Sequence, residues 1–115
     1  MPLLKLSIAC AIDDSARADL AKACSAMLAA CTGKPEKYVM VVIEQGSIMM
    51  AGPAEPAAFA GVRGIGGLTQ EVNRRVTKEL CELLKGRFGI APDRVYATFT
   101  EVEAPNWGWN KTTFG

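Results

Sequence analysis

The stretch that decides the fold stands at the start of the chain and runs Met1-Pro2-Leu3-Leu4-Lys5-Leu6-Ser7-Ile8-Ala9. Its apolar residues predict a buried strand. A proline is tolerated at the head of a strand because the first residue need not donate a hydrogen bond to the ladder. If Met1 is removed, the ring nitrogen of Pro2 becomes a free secondary amine. Most chain termini fray in solvent, whereas this amine would be held in place.

A fixed amine at Pro2 is a candidate general base. An ordinary α-amino group has a pKa of roughly 7.7–8.0, and a proline amine starts higher. Burial and a nearby cation both disfavour the ammonium form and lower that pKa. A base works best when its pKa lies near the operating pH. Proline is also a common second residue, so Pro2 alone does not establish this role.

Composition limits the classes of protein to consider. A chain of 115 residues predicts a single domain over 1–115. The net charge is +1 and the basic residues are interspersed with acidic ones, which argues against nucleic-acid and anionic-membrane partners. No run approaches the roughly 20 apolar residues of a membrane span. No signal peptide is visible, and we predict a cytoplasmic location.

Cysteine and histidine usage narrows the chemistry. The four cysteines, at positions 10, 24, 31 and 81, do not have the spacing of a small secreted disulfide scaffold. They predict free thiols that pack as small hydrophobes in a reducing compartment. The chain has no histidine, which excludes histidine-based triads and the H-E-x-x-H zinc motif. We expect no cofactor and no metal.

Two strand–helix–strand units follow one another, as an internal pseudo-repeat of about 2–45 and 58–103. The first predicts strands at 3–9 and 38–44 around a helix that starts near Asp13 and stops at Gly33. The second predicts strands at 58–62 and 94–102 around a helix over 69–85, ended by Gly86 and Gly89. The stripe predicted to be buried on this second helix is Val72, Val76, Leu80, Leu83 and Leu84.

Such units predict an α+β fold with a four-stranded mixed sheet and both helices on one face, because βαβ crossovers are nearly always right-handed. The other sheet face then has no cover within the chain. The apolar run 38–43 is typical of a strand covered on both faces. Oligomerisation into a closed symmetric ring is the simplest source of that cover.

Three segments carry candidate binding residues. Gly64-Ile65-Gly66-Gly67 does not match a phosphate-binding loop and predicts a tight strand-to-helix turn that can present backbone amides. Lys34 follows a helix stop, where a lysine either complements the helix C-terminus or binds a substrate carboxylate. Asn106-Trp107-Gly108-Trp109-Asn110, with Phe114 close behind, is either interface packing or an aromatic wall around a ligand.

Taken together, these patterns resemble the macrophage migration inhibitory factor family and its tautomerase superfamily over essentially the whole chain. The resemblance rests on Pro2 after Met1, Thr32-Gly33-Lys34-Pro35, Gly64-Ile65-Gly66, Asn73-Arg74, Leu80-Cys81-Glu82-Leu83-Leu84, Pro92-Asp93-Arg94-Val95-Tyr96, Asn106, Gly108-Trp109-Asn110 and Thr113-Phe114. It implies a homotrimer with active sites at the subunit interfaces. It also implies ketol–enol tautomerase activity on phenylpyruvate-like, and also dopachrome-like, 2-keto acids.

The resemblance assigns roles by position. Pro2 would be the base, Lys34 would hold the substrate carboxylate, and Ile65 would lend its backbone amide. Tyr96 from the neighbouring subunit would orient the substrate. The apolar part of the pocket would be formed by Trp107, Trp109 and Phe114.

Two departures from the family pattern keep other functions open. Glu55-Pro56 is followed by Ala57-Ala58-Phe59-Ala60, where the cytokine members carry C-x-x-C, so thiol–disulfide oxidoreductase activity is not expected. Trp107 replaces a small aliphatic residue and should narrow the pocket.

One alternative function is that of a cytokine-like protein that binds a receptor after export without a signal peptide. Another is proline-based hydration, dehalogenation or decarboxylation, for which Arg63 is the nearest helper by sequence.

Overall fold

Two consecutive strand–helix–strand units build one four-stranded sheet in the computed structural model, which describes residues 1–115. The elements are β1 (Leu3–Ala9), α1 (Asp14–Thr32), β2 (Met40–Gln45), β3 (Ala57–Gly64), α2 (Gln70–Phe88), β4 (Val95–Glu101), and the short strands β5 (Gly108–Trp109) and β6 (Thr112–Thr113). The sheet order is β2-β1-β3-β4. The β1–β2 and β3–β4 pairs are parallel and the central β1–β3 pair is antiparallel, so the predicted mixed sheet is confirmed.

Local capping chemistry sets the helix bounds. The Asp13 carboxylate accepts a hydrogen bond from the Ala16 N–H at 2.7 Å. The Thr69 hydroxyl accepts one from the Val72 N–H at 3.2 Å. Both helices end at a glycine in the left-handed region, Gly33 at φ 70° and Gly89 at φ 69°. The prediction that Gly86 ends the second helix is wrong, because α2 continues through it to Phe88.

Both second strands begin later than predicted. Glu36–Tyr38 forms a 3₁₀ turn, and β2 starts only at Met40. The Tyr38 N–H donates to the Pro35 carbonyl at 3.1 Å, and this bond draws the segment out of the strand. The second unit repeats the device with a 3₁₀ turn at Pro92–Arg94 before β4. In each unit the proline after the glycine stop initiates a turn rather than the strand itself.

The hydrophobic core lies between the two helices and one face of the sheet. Leu4, Leu6 and Ile8 of β1 are fully buried there. On α1 the buried residues are Leu20, Cys24, Met27, Leu28 and Cys31. On α2, Val76, Leu80 and Leu84 are buried, whereas Val72 and Leu83 are only partly buried and pack at the margin of the core.

The second face of the sheet is not covered by either helix. Met40, Phe59 and Tyr96 are exposed large apolar side chains, Tyr96 at 64%. A concave surface of about 470 Å³ on this face is lined by Leu3, Lys5, Ser7, Glu44, Phe59, Gly61, Val62, Arg63, Thr98 and Thr100. The cover that the apolar 38–43 run predicts is therefore not supplied by the chain itself.

The cysteines form no disulfide: Cys24 and Cys31 are buried, and Cys10 and Cys81 are half-buried. The Cys31 thiol donates a hydrogen bond to the Glu79 carboxylate at 3.0 Å, which joins α1 to α2. Burial, together with this hydrogen bond, raises the pKa of Cys31 to about 11, so the thiol stays protonated. Neither helix has the length and apolar character needed to cross a membrane.

Candidate functional site

Pro2 is buried at the head of β1. Its carbonyl accepts a hydrogen bond from the Met40 N–H at 3.1 Å, which ties the chain start to β2. A narrow cavity with no space for a water molecule lies beside it, lined by Met1, Pro2, Thr32, Lys34, Gly64, Gly66 and Leu68. The fold therefore brings together Pro2 and Lys34, which are distant in sequence, with the turn that links β3 to α2.

Lys34 is aimed at this cavity by the end of α1. The left-handed turn at Gly33 redirects the chain, and the Lys34 N–H donates to the Thr32 hydroxyl at 3.3 Å. The Lys34 ammonium then donates to the Ile65 carbonyl at 3.3 Å. The side chain crosses Gly67, where an added Cβ would lie 3.2 Å from the lysine Cε and where φ is +82°. A larger residue at Gly67 would displace the ammonium group.

The turn after β3 is held by Glu101, which lies beside Gly64 in the parallel β3–β4 register. Its carboxylate accepts hydrogen bonds from the Gly66 N–H at 2.8 Å and the Leu68 N–H at 3.0 Å. The Ile65 N–H has no acceptor within the chain. Glu101 thus holds the turn at two amides, and the Ile65 and Gly67 N–H groups are left without an acceptor and free for a ligand.

The C-terminal segment forms an aromatic cavity of about 350 Å³, which Met1 and Leu3, the sequence neighbours of Pro2, also line. Trp109 and Phe114 stack with ring centroids 5.3 Å apart, and Tyr38 meets both edge-on at 5.7 and 6.2 Å. Such offset and edge-to-face contacts are favourable aromatic geometries. The full lining is Met1, Leu3, Lys37, Tyr38, Val39, Met40, Trp107, Gly108, Trp109 and Phe114.

A tight hairpin positions this aromatic wall. Strands β5 and β6 pair antiparallel across Asn110 and Lys111, which adopt φ values of 51° and 69°. Two consecutive positive φ values are the signature of a two-residue hairpin turn of type I′. The Phe114 N–H donates to the Trp107 carbonyl at 3.1 Å, which closes the segment on itself.

Met1 lies between the two cavities and lines both. The pKa of its α-amine is lowered, first by burial and then by the charge of Lys34. The Pro2 nitrogen lies one residue along the chain, so the same two causes would act on its amine if Met1 were removed. Loss of Met1 would remove a shared wall and join the narrow cavity to the aromatic one.

Tyr96 and Arg63 lie outside both the Pro2 cavity and the aromatic cavity. Tyr96 is paired with Phe59 in the β3–β4 register and lines neither cavity. Arg63 lines the uncovered face of the sheet, in the same concave surface as Lys5 and Glu44. The chain thus brings together all the predicted site residues except Tyr96.

Two residues of the site were missed from the sequence. The apolar pattern predicts a strand at Tyr38. The signal for a turn there is Pro35, three residues earlier, and this turn directs the Tyr38 ring towards the site. Glu101 was not singled out, because its role depends on a parallel strand register that no local pattern specifies.

Comparison with known proteins gives a consistent assignment. Residues 1–115 match the family profile described as "Macrophage migration inhibitory factor (MIF)". The macrophage migration inhibitory factor of Rattus norvegicus is 40% identical over 88 residues, 76% of each chain. That of Xenopus laevis is 35% identical over 104 residues, 90% of this chain and 87% of its own. The crystal structure of a homologue from Prochlorococcus marinus superposes with a TM-score of 0.92 at 33% identity, covering 98% of this chain and 99% of that one. The chain belongs to the macrophage migration inhibitory factor family.

Proposed function

We propose that the protein is a ketol–enol tautomerase of phenylpyruvate-like 2-keto acids, with Pro2 as the general base after removal of Met1. One observation carries the proposal. A buried Pro2 shares a narrow cavity with Lys34, beside an unpaired backbone donor at Ile65 and an aromatic cavity of about 350 Å³.

The proposed step is an isomerisation in which no atom is lost. The Pro2 nitrogen takes a proton from the carbon next to the keto group. The electron pair of that C–H bond forms the carbon–carbon double bond, and charge moves to the keto oxygen. The protonated Pro2 amine then gives the proton to that oxygen, which completes the enol and regenerates the free base. Burial and the Lys34 charge, which lower the pKa of the Met1 amine, would act likewise on the Pro2 amine and lower its pKa, which favours the free base.

The charged end of the substrate would bind beside the base. The Lys34 ammonium now donates to the Ile65 carbonyl, and a carboxylate would be a stronger, charge-assisted acceptor for it. The free Ile65 N–H adds a donor that needs no reorganisation. Donors fixed in this way also stabilise negative charge as it develops on the enolate.

The aromatic ring would enter the cavity walled by Trp107, Trp109 and Phe114. Its volume of about 350 Å³ lies at the lower end of the roughly 300–1,000 Å³ of small-molecule sites. A single substituted ring fits this size. Dopachrome-like compounds, which also carry a carboxylate on an aromatic body, are a second substrate class for the same site.

We further propose that the site is completed in a homotrimer. Tyr96 is 64% exposed and lines neither cavity in its own subunit. The open edges of β2 and β4 and the uncovered sheet face are features that subunit contacts would bury. Tyr96 of one subunit would then face the Pro2 of its neighbour.

The Pro2→Gly variant tests the catalytic role. With Met1 removal verified by intact mass, kcat/KM for phenylpyruvate tautomerisation should fall by roughly 100-fold, the lower end for loss of a general base, since glycine keeps a primary amine. Pro53→Gly, in the exposed 46–56 loop, is the matched control and should keep wild-type activity. Equal activity of both variants would remove Pro2 from the mechanism.

A signalling role is the second candidate, because the relatives from Rattus norvegicus and Xenopus laevis carry the name macrophage migration inhibitory factor. The role would require export from the cytoplasm without a signal peptide and recognition by a receptor protein. Saturable receptor binding by a Pro2→Gly protein without turnover of any enolisable acid would support it. Hydration, dehalogenation or decarboxylation is less well supported, because Arg63 does not reach the Pro2 cavity of its own subunit.

A further inference from the structure

We propose that Lys37 is a second anion-binding group, so that the site selects aromatic 2-keto acids carrying a further acidic group at the far end of the ring. This inference rests on the proposed function and names its substrate class. It goes beyond the carboxylate site at Lys34, which serves only the keto-acid end.

The position of Lys37 carries the proposal. The 3₁₀ turn Glu36–Tyr38 places its side chain on the wall of the aromatic cavity. The ammonium lies 5.0 Å from the centroid of the Tyr38 ring, a distance at which a cation is attracted to an aromatic face. That ring in turn packs edge-on against Trp109 and Phe114. Lys37 is exposed to solvent, and its side chain also lines the aromatic cavity.

The charge of Lys37 is not neutralised within the chain. It takes part in none of the three ion pairs of the structure. The neighbouring Glu36 carboxylate instead accepts a hydrogen bond from the Ser25 hydroxyl at 2.9 Å. No aspartate or glutamate lines either the aromatic cavity or the Pro2 cavity. An anion that enters the aromatic cavity thus meets a free cation and no opposing carboxylate.

The two lysines belong to adjoining cavities. Lys34 lies in the cavity of Pro2 and Lys37 in the aromatic one, and Met1 is the wall they share. With Met1 removed, one ligand would occupy both cavities. Its keto-acid carboxylate would pair with Lys34, its ring would lie against Trp109 and Phe114, and its distal acid would pair with Lys37.

Binding of inert analogues tests the inference without relying on turnover. The ligands are hydrocinnamate and its para-carboxy derivative, titrated into the full chain lacking Met1, with Trp107 and Trp109 fluorescence as the signal. An exposed ion pair corresponds to about 1.4-fold to fivefold in affinity. The wild type should therefore bind the dicarboxylate more tightly by a factor in about that range, and Lys37→Met should abolish the difference.

Two further variants sharpen the result. Lys37→Arg should keep the preference, since it keeps the charge. Lys78→Met, on the exposed face of α2, should keep it as the matched control. A preference that survives Lys37→Met, or no preference in the wild type, would overturn the inference. Failure of the proposed function is a separate result: no turnover of phenylpyruvate, whatever the two analogues do.

Discussion

Substitution of Glu101 should slow catalysis in a protein that still folds. Its carboxylate accepts two hydrogen bonds, from the Gly66 N–H at 2.8 Å and the Leu68 N–H at 3.0 Å. In Glu101→Gln the amide retains one acceptor oxygen and loses the other. One hydrogen bond contributes about 0.5–1.5 kcal/mol net, and because Glu101 is exposed we expect a loss of about 1 kcal/mol in the free energy of unfolding.

The effect on activity follows from what the turn positions. It carries the Ile65 amide and the carbonyl that orients Lys34, so loosening it misplaces both substrate donors. Small misplacements of positioning groups cost on the order of 10- to 100-fold in rate, and we expect kcat/KM for phenylpyruvate to fall by roughly tenfold. Urea denaturation and steady-state kinetics on the same samples separate the two effects.

Glu103→Gln is the matched control for this prediction. It makes the same chemical change two residues along, at an exposed side chain that accepts no hydrogen bond within the chain. Activity in Glu101→Gln equal to that of Glu103→Gln would refute the idea that the carboxylate holds a functional turn.

Three further predictions concern the scaffold. Leu80→Ala removes a fully buried core side chain of α2 and should lower the free energy of unfolding by about 2–5 kcal/mol in urea titration; a loss below 1 kcal/mol would contradict the assigned core. Arg94→Lys should lower the free energy of unfolding by about 1–3 kcal/mol and speed proteolysis of the 46–56 loop. The reason is that the Arg94 guanidinium donates four hydrogen bonds of 3.0–3.1 Å to carbonyls of that loop. Arg87→Lys is the control. Hydrogen bonds from Cys31 and then Arg75 lower the pKa of Glu79, so their stabilisation should be full above its ordinary pKa and fade as the pH falls through the lowered one. Urea unfolding of wild type and Glu79→Gln should therefore differ near neutral pH and converge in acid, and a constant difference would contradict this assignment.

Local chemistry predicted the helices well. The caps at Asp13, Gly33 and Gly89 act within one turn of chain, so the sequence alone places these helix ends. The strand predicted at Tyr38 was wrong for the opposite reason. An apolar run does not reveal that the Pro35 carbonyl captures the Tyr38 N–H, and the ring that leaves the strand becomes part of the aromatic cavity.

In the site, as in the helices and strands, residues in a local sequence pattern are predictable, whereas those whose contacts depend on the fold are not. Pro2, Lys34 and the aromatic C-terminal residues each stand in a distinctive local pattern, so the sequence alone makes them candidates, and their roles stay predictions. Glu101 is not such a candidate, because its contact with the turn depends on which residues the parallel β3–β4 pair brings side by side. Tyr96 stays a prediction, since its place in the site depends on a second subunit.

The central claim is that the Pro2 nitrogen is the catalytic base, and a direct titration of that nitrogen tests it most directly. The protein is prepared with ¹⁵N-proline, its loss of Met1 is verified by intact mass, and the Pro2 resonance is followed against pH. Burial and Lys34 should lower this pKa below that of the same nitrogen in an unfolded peptide of the same N-terminal sequence. The kcat/KM for phenylpyruvate should rise with pH through the same value and then level off. A Pro2 pKa equal to that of the peptide, or a rate profile that rises at a different pH, would contradict the account.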